Sequence, residues 1–195
     1  FPAYATLVVG TPLGRVALGT LKDDVYRGGF AVIVDPGGNV RYERGRFAAS
    51  FGVDERRAGL LVDLGGNDVY DCGDVDCTLG AAILGVAALL DLGQGNDRYV
   101  GGHVSLGAAV GGVGVLYDDG GSDVYEGKAF TQGAAGFGVG IVLDDAVGEP
   151  PVVKTDEETK DPIEIAKWDD DRLSAWCCAQ AFARTCLTVI SGNGP

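Results

Sequence analysis

An aspartate that closes a short apolar run recurs along this chain at a nearly constant interval. That interval constrains the fold more than any other feature of the sequence. The aspartate is Asp35 in VIVDPGGN, Asp63 in LLVDLGGNDVY, Asp91 in ALLDLGQGNDRY, Asp118 in VLYDDGGSDVY and Asp144 in IVLDDAVG. The steps are 28, 28, 27 and 26 residues. Other columns keep pace with it. Ser50, Thr78, Ser105 and Thr131 each stand thirteen residues before an aspartate, and Gly80, Gly107 and Gly133 stand eleven before. Tyr42, Tyr70, Tyr99 and Tyr125 follow seven or eight after.

A unit this short cannot bury a core alone, so successive units must stack. The apolar runs are four to six residues long, rich in Val and Ile, and bordered by Gly-Gly, which favours strands. Glycine is abundant, 33 of 195 residues, and each one inside a helix would cost about 1 kcal/mol. Three strand-like pieces per unit predict an all-β chain: a right-handed parallel β-helix with coils of about 26–28 residues and one looped-out insertion. Leu, Val and Ile columns are expected in the core, Tyr in a stacked ladder, and the Ser/Thr column at a hydrogen-bonded corner.

The expected organisation is coils over 1–147, of which 1–34 are degenerate; there TLKDDVYRGG carries Asp24 and Tyr26 as the end of a turn motif. Residues 148–178 hold three prolines and many charges and read as the insertion, part loop and part short helix. Residues 179–195 read as a further degenerate coil, with Gln180–Asn193 aligned on Gln132–Asp145. It stops where the next turn should begin, so the chain is expected to be a piece of a longer solenoid.

Charge narrows the function. Fifteen basic against 28 acidic residues leave −13, which excludes the basic face a nucleic-acid partner needs. No apolar run reaches membrane-spanning length. There is one His, His103, and no zinc-type Cys spacing among the five cysteines. Cys72 and Cys77 flank the acidic loop CGDVDC; a small disulfide and two free thiols are both open.

Residues 60–145 hold 13 acidic side chains and two basic ones, Arg98 and Lys128. The acids gather at the turns, so stacking would set Asp63, Asp91, Asp118 and Asp144 in one column and Asp68, Asp97 and Asp123 in another. Equivalent carboxylates about 4.8 Å apart repel one another and attract cations. With Asn67 and Asn96 they form a hard oxygen set suited to Ca²⁺. The plainer reading is that these residues are turn formers pointing into water. GGND at 65–68, GQGND at 93–97 and GGSD at 120–123 resemble the Gly-Gly-x-Gly-x-Asp turns of RTX-type β-roll proteins. The resemblance covers the turns only, since that unit is nine residues long. It implies secretion and calcium shared between coils. The repeats as a whole also resemble Gly- and Asp-rich bacterial surface repeat proteins.

The functional expectation is a non-enzymatic extracellular, cell-surface or periplasmic solenoid, acting in assembly or adhesion. Its partner would be a protein or further coils, met end to end or through the insertion, where Trp168, Trp176, Cys177 and Cys178 lie. The alternative is a polysaccharide-acting β-helix enzyme, a lyase or glycosidase, for which Arg98 and Lys128 are the basic candidates of the regular coils. His103 has no partner spacing for a triad.

Overall fold

The computed structural model describes residues 7–52, 58–145, 152–155 and 186–190. Strands β1 (Leu7–Thr11) and β2 (Gly14–Leu18) open it as a hairpin. There follow β3 (Val25–Arg27), β4 (Val32–Asp35), β5 (Arg41–Glu43), β6 (Ser50–Phe51), β7 (Ala58–Asp63), β8 (Val69–Asp71) and β9 (Ala82–Ile83). The regular coils continue with β10 (Val86–Asp91), β11 (Arg98–Gly101), β12 (Ala109–Val110), β13 (Val113–Asp118), β14 (Val124–Gly127), β15 (Ala135–Gly136) and β16 (Val139–Asp144). β17 (Val152–Thr155) and β18 (Cys186–Ile190) lie at the far end.

These strands stack as a β-solenoid of three sheets. The largest runs β1-β2-β4-β7-β10-β13-β16-β18, the second β17-β14-β11-β8-β5-β3, and the third β15-β12-β9-β6. Every pairing is parallel except β1 with β2. That one departs from the all-parallel expectation because Pro12-Leu13 turns the chain straight back on itself. Register follows the repeat: Asp35 pairs with Asp63, Asp63 with Asp91, Asp91 with Asp118 and Asp118 with Asp144. The extra residue of the third unit is absorbed in the turn before Arg98, which still meets Val69.

The core is narrow. Leu61, Leu89, Leu116 and Val142 point inward from the largest sheet, and Tyr26, Tyr42, Tyr70, Tyr99 and Tyr125 point in from the second. Adjacent rings from Tyr42 to Tyr125 stack with centroids 4.5–4.8 Å apart and planes within 5°. That spacing is set by the inter-strand distance. The third sheet contributes Ala82, Ala109 and Ala135, all fully buried, where the coil has no room for more. Gly107 sits at φ +72, and a Cβ on it would run into the Ile141 carbonyl oxygen. The column therefore admits only glycine.

Thr78, Ser105 and Thr131 form the buried corner column, bridged in parallel from Thr78 to Ser105 to Thr131. The residue count puts Ser50 in that column too, but Ser50 pairs with Ala82 in the third sheet, because the link from β6 to β7 is longer than the link from β9 to β10. Opposite Thr78 stand Gly45, whose carbonyl its hydroxyl reaches, and Phe47 N. Ser105 donates to the Gly102 carbonyl at 2.8 Å. Cys72 and Cys77 are free and buried. The Cys72 sulfur lies 3.4 Å from the Thr78 hydroxyl, and Cys77 donates to the Ser50 carbonyl. Burial pushes the Cys72 thiol up to about 12.

Two findings refine the far end. Val152–Thr155 pairs in register with Val124–Gly127, inside the stretch read as the insertion. Cys186 pairs with Gly140, two residues from the alignment of Gln180 on Gln132. The expected short helix, both tryptophans, Cys177 and Cys178 lie outside the described residues. Among the described residues no helix is long and apolar enough to cross a membrane.

Candidate metal centre

The turn aspartates lie inside the coil, against the alternative that they are turn formers pointing into water. Asp63, Asp68, Asp91, Asp97, Asp118, Asp123 and Asp144 are each at most 2 % exposed. The local cause is the D-x-G-G-N-D turn. The first aspartate accepts from the backbone two residues on: Asp35 from Gly37 at 3.0 Å, Asp63 from Gly65 at 3.1 Å and Asp91 from Gly93 at 3.2 Å. This is the Asx turn that the sequence chemistry favours, and here it turns the carboxylate inward.

Each carboxylate of that column then meets the tyrosine ladder. Tyr26 donates to Asp35, Tyr42 to Asp63 and Tyr70 to Asp91, each at 2.6 Å. Tyr99 donates to Asp118, and lies 3.1 Å from Asp91. Burial, and next the Asp118 charge, push the Tyr99 hydroxyl well above its ordinary range, so it stays a donor.

The second aspartate of each turn ties neighbouring coils. Oδ1 of Asp68 accepts from Val40 N at 2.6 Å, Asp97 from Asp68 N at 2.5 Å and Asp123 from Asp97 N at 2.8 Å. Their other oxygens, Asp68 Oδ2, Asp97 Oδ2 and Asp123 Oδ2, are buried with no hydrogen-bond partner, as is Asp118 Oδ1. A buried polar atom left in that state costs about 1–3 kcal/mol, and more when charged.

The carboxylates of the two columns converge. Asp68, Asp91 and Asp97 offer ligand atoms within 4.8 Å of one another, and so do Asp97, Asp118 and Asp123. The two groups are one coil apart and share Asp97. Both can hold a metal ion. Burial is the first cause pushing all these carboxyls upward: Asp68 to about 8, Asp97 to about 9, Asp118 to about 10 and Asp123 to about 6. Neighbouring aspartate charges add to it for Asp68, Asp97 and Asp118. A proton is one way to neutralise such a group. A cation between three carboxylates is another, and it serves all of them at once.

The remaining site candidates are placed differently. Asn67 and Asn96 are exposed and form their own ladder. Asn39 Oδ1 accepts from Asn67 N and Asn67 Oδ1 from Asn96 N, both at 2.9 Å, and Asn96 Oδ1 accepts from Ser122 N at 2.8 Å. Asp63 and Asp144 stand in the first column outside the two groups.

A second feature escaped the sequence reading. Arg27, Arg41, Glu43, Arg44, Asp71 and Gly73 line an open cavity of about 620 Å³ on the outside of the first coils. Glu43 bridges Arg41 at 2.9 Å and Arg27 at 2.8 Å, and those bonds hold its carboxyl below the usual range. RYERGR at 41–46 was the available sign. It went unread because Arg27 joins it only across a coil.

Compared with family models, with curated proteins and with solved structures, the chain matches none.

Proposed function

We propose that this chain is a non-enzymatic solenoid of an extracellular or cell-surface assembly, with two divalent cations, calcium, bound in a row inside its coils. The observation that carries this is the pair of buried three-aspartate groups, in which Asp68, Asp97, Asp118 and Asp123 each keep one oxygen without a hydrogen-bond partner. A set made of carboxylate oxygens suits a hard cation, and the flexible coordination of Ca²⁺ asks less of its geometry than the near-ideal octahedron of Mg²⁺. The ions would lock adjacent coils together, a structural role that stiffens an adhesive or assembly element. Extracellular calcium supplies the ligand in the compartment that the resemblance to RTX-type turns implies.

Titration calorimetry with Ca²⁺, with metal content measured after dialysis, tests it. Two ions per chain are expected. Asp68→Asn should leave one, Asp123→Asn should leave one, and Asp97→Asn should leave none. Wild-type protein that takes up no calcium at millimolar concentration, with a melting curve indifferent to chelator, overturns the reading.

The arginine cavity favours the second reading, a polysaccharide-acting enzyme. Two carboxylates and three guanidiniums share one open site. Glu43 is pinned ionised between two arginines, which suits holding an acidic sugar better than donating a proton to one. Turnover of an acidic polysaccharide, abolished by Asp71→Asn and retained by Asp97→Asn, would establish the enzyme.

A further inference from the structure

The outward face of β4, β7, β10, β13 and β16 in the largest sheet carries aliphatic side chains and Tyr117, and part of it is open to solvent in the single chain. Its middle column is Val32, Leu60, Ala88, Val115 and Ile141, in register across β4, β7, β10, β13 and β16. These five are partly buried. Flanking columns add Val86 at 54 % exposed and Val113 at 37 %. No outward position of these five strands carries a charged side chain. The contrast with the second sheet is sharp: its outer face carries Arg27–Glu43 and Arg98–Glu126 ion pairs.

Strands that read as continuous apolar runs are the mark of a sheet covered on both faces. Isolated soluble chains seldom leave a contiguous apolar patch larger than about 300–600 Å². We propose that this face is a homodimer interface, in which the largest sheets of two copies pack face to face.

Area and shape decide for a second copy. Six strands, β2 through β16, span five spacings of about 4.8 Å, or about 24 Å, and a six-residue strand is about 20 Å long. That is about 500 Å² of flat face per copy and about 1,000 Å² for two, the lower bound for a specific interface. A single helix about 10 Å wide would leave half of it wet. A second sheet, stacked about 10 Å away, covers all of it. The columns repeat along the axis, so two such faces present apolar surface to apolar surface. No charge is desolvated, although each chain carries −13. The proposal is independent of calcium.

Sedimentation velocity on the full chain, from about 5 to 200 µM, with and without calcium, tests it. The expected mass rises from that of the 20.0 kDa chain to twice that value. Val115→Lys and Leu90→Lys should stay monomeric over the range with unchanged circular dichroism. Arg98→Glu, on the other sheet, should still dimerise. Val86→Lys, at the exposed rim of the face, replaces either lysine variant that fails to fold. A wild-type chain still monomeric at about 200 µM overturns the proposal, as does a folded Val115→Lys that dimerises like wild type.

Discussion

The Tyr99 hydroxyl reaches two aspartates of adjacent coils, Asp118 and Asp91, while its ring lies between those of Tyr70 and Tyr125. Tyr99→Phe keeps the stack and removes the donor. A hydrogen bond to a charged group is worth about 1.5–3 kcal/mol, so a loss of about 2 kcal/mol is expected. Thermal melts would read that as a fall of about 4–8 °C, with the far-ultraviolet spectrum intact. Asp97 behaves in the opposite sense without metal. Replacing it by Asn removes a buried carboxyl pushed up to about 9, so Asp97→Asn should melt higher than wild type in chelator and lower in calcium.

At the level of the turn, Val40 interrupts the aspartate row between Asp24 and Asp68. It donates to Asp68 Oδ1 as Asp68 does to Asp97 and Asp97 to Asp123, but it brings no carboxylate beside Asp63 and Asp68. Val40→Asp is expected to raise calcium uptake from two ions to three in calorimetry. In chelator the same variant should be destabilised, since Val40 is only 1 % exposed and an unpaired buried charge is costly. The glycines give a second test. Gly107→Ala combines φ +72 with a clash on the Ile141 carbonyl, whereas Gly73, at φ +55, has nothing within 4 Å of a Cβ. Urea denaturation should show Gly73→Ala losing about 1–2 kcal/mol, the left-handed penalty alone, and Gly107→Ala losing more.

For the whole molecule, the buried aspartates set how stability depends on pH. Asp63, Asp68 and Asp97 sit at about 7, 8 and 9 in the folded chain, against about 3.9 unfolded. The folded state therefore binds more protons over that window, and stability falls as pH rises. Metal-free protein should be most stable near pH 4 and lose stability progressively up to about pH 9. Calcium competes with those protons, so its stabilising increment should grow over the same range. Melting temperatures taken from pH 4 to 9 with chelator and with calcium check both slopes. A metal-free curve that rises with pH would show that the carboxyls are not desolvated.

The repeat interval alone determined the solenoid, because strands stacked in parallel must return at a constant step. It placed Asp35 to Asp144 in one register, Tyr42 to Tyr125 in one ladder and Thr78 to Thr131 in one corner, all read by counting residues; the same count misplaced Ser50, which pairs with Ala82 because the link after it is longer. It did not determine which side of the strands faces in. In LLVDL the residues Leu61 and Asp63 share one face while Leu60, Val62 and Leu64 share the other, and hydrophobicity alone would bury the second set. The folded coil buries the first. Its narrow interior supplies the tyrosine hydroxyl and turn N–H group that the Asp63 carboxylate needs, the first from Tyr42, 21 residues away, and the second from the turn itself. The all-apolar set is left outside, where it can be covered only by something beyond its own coil. Convergence of Arg27 with Arg41 and Arg44 was hidden for the same reason. Contacts across coils depend on how each turn closes in space, and spacing along the chain does not encode that.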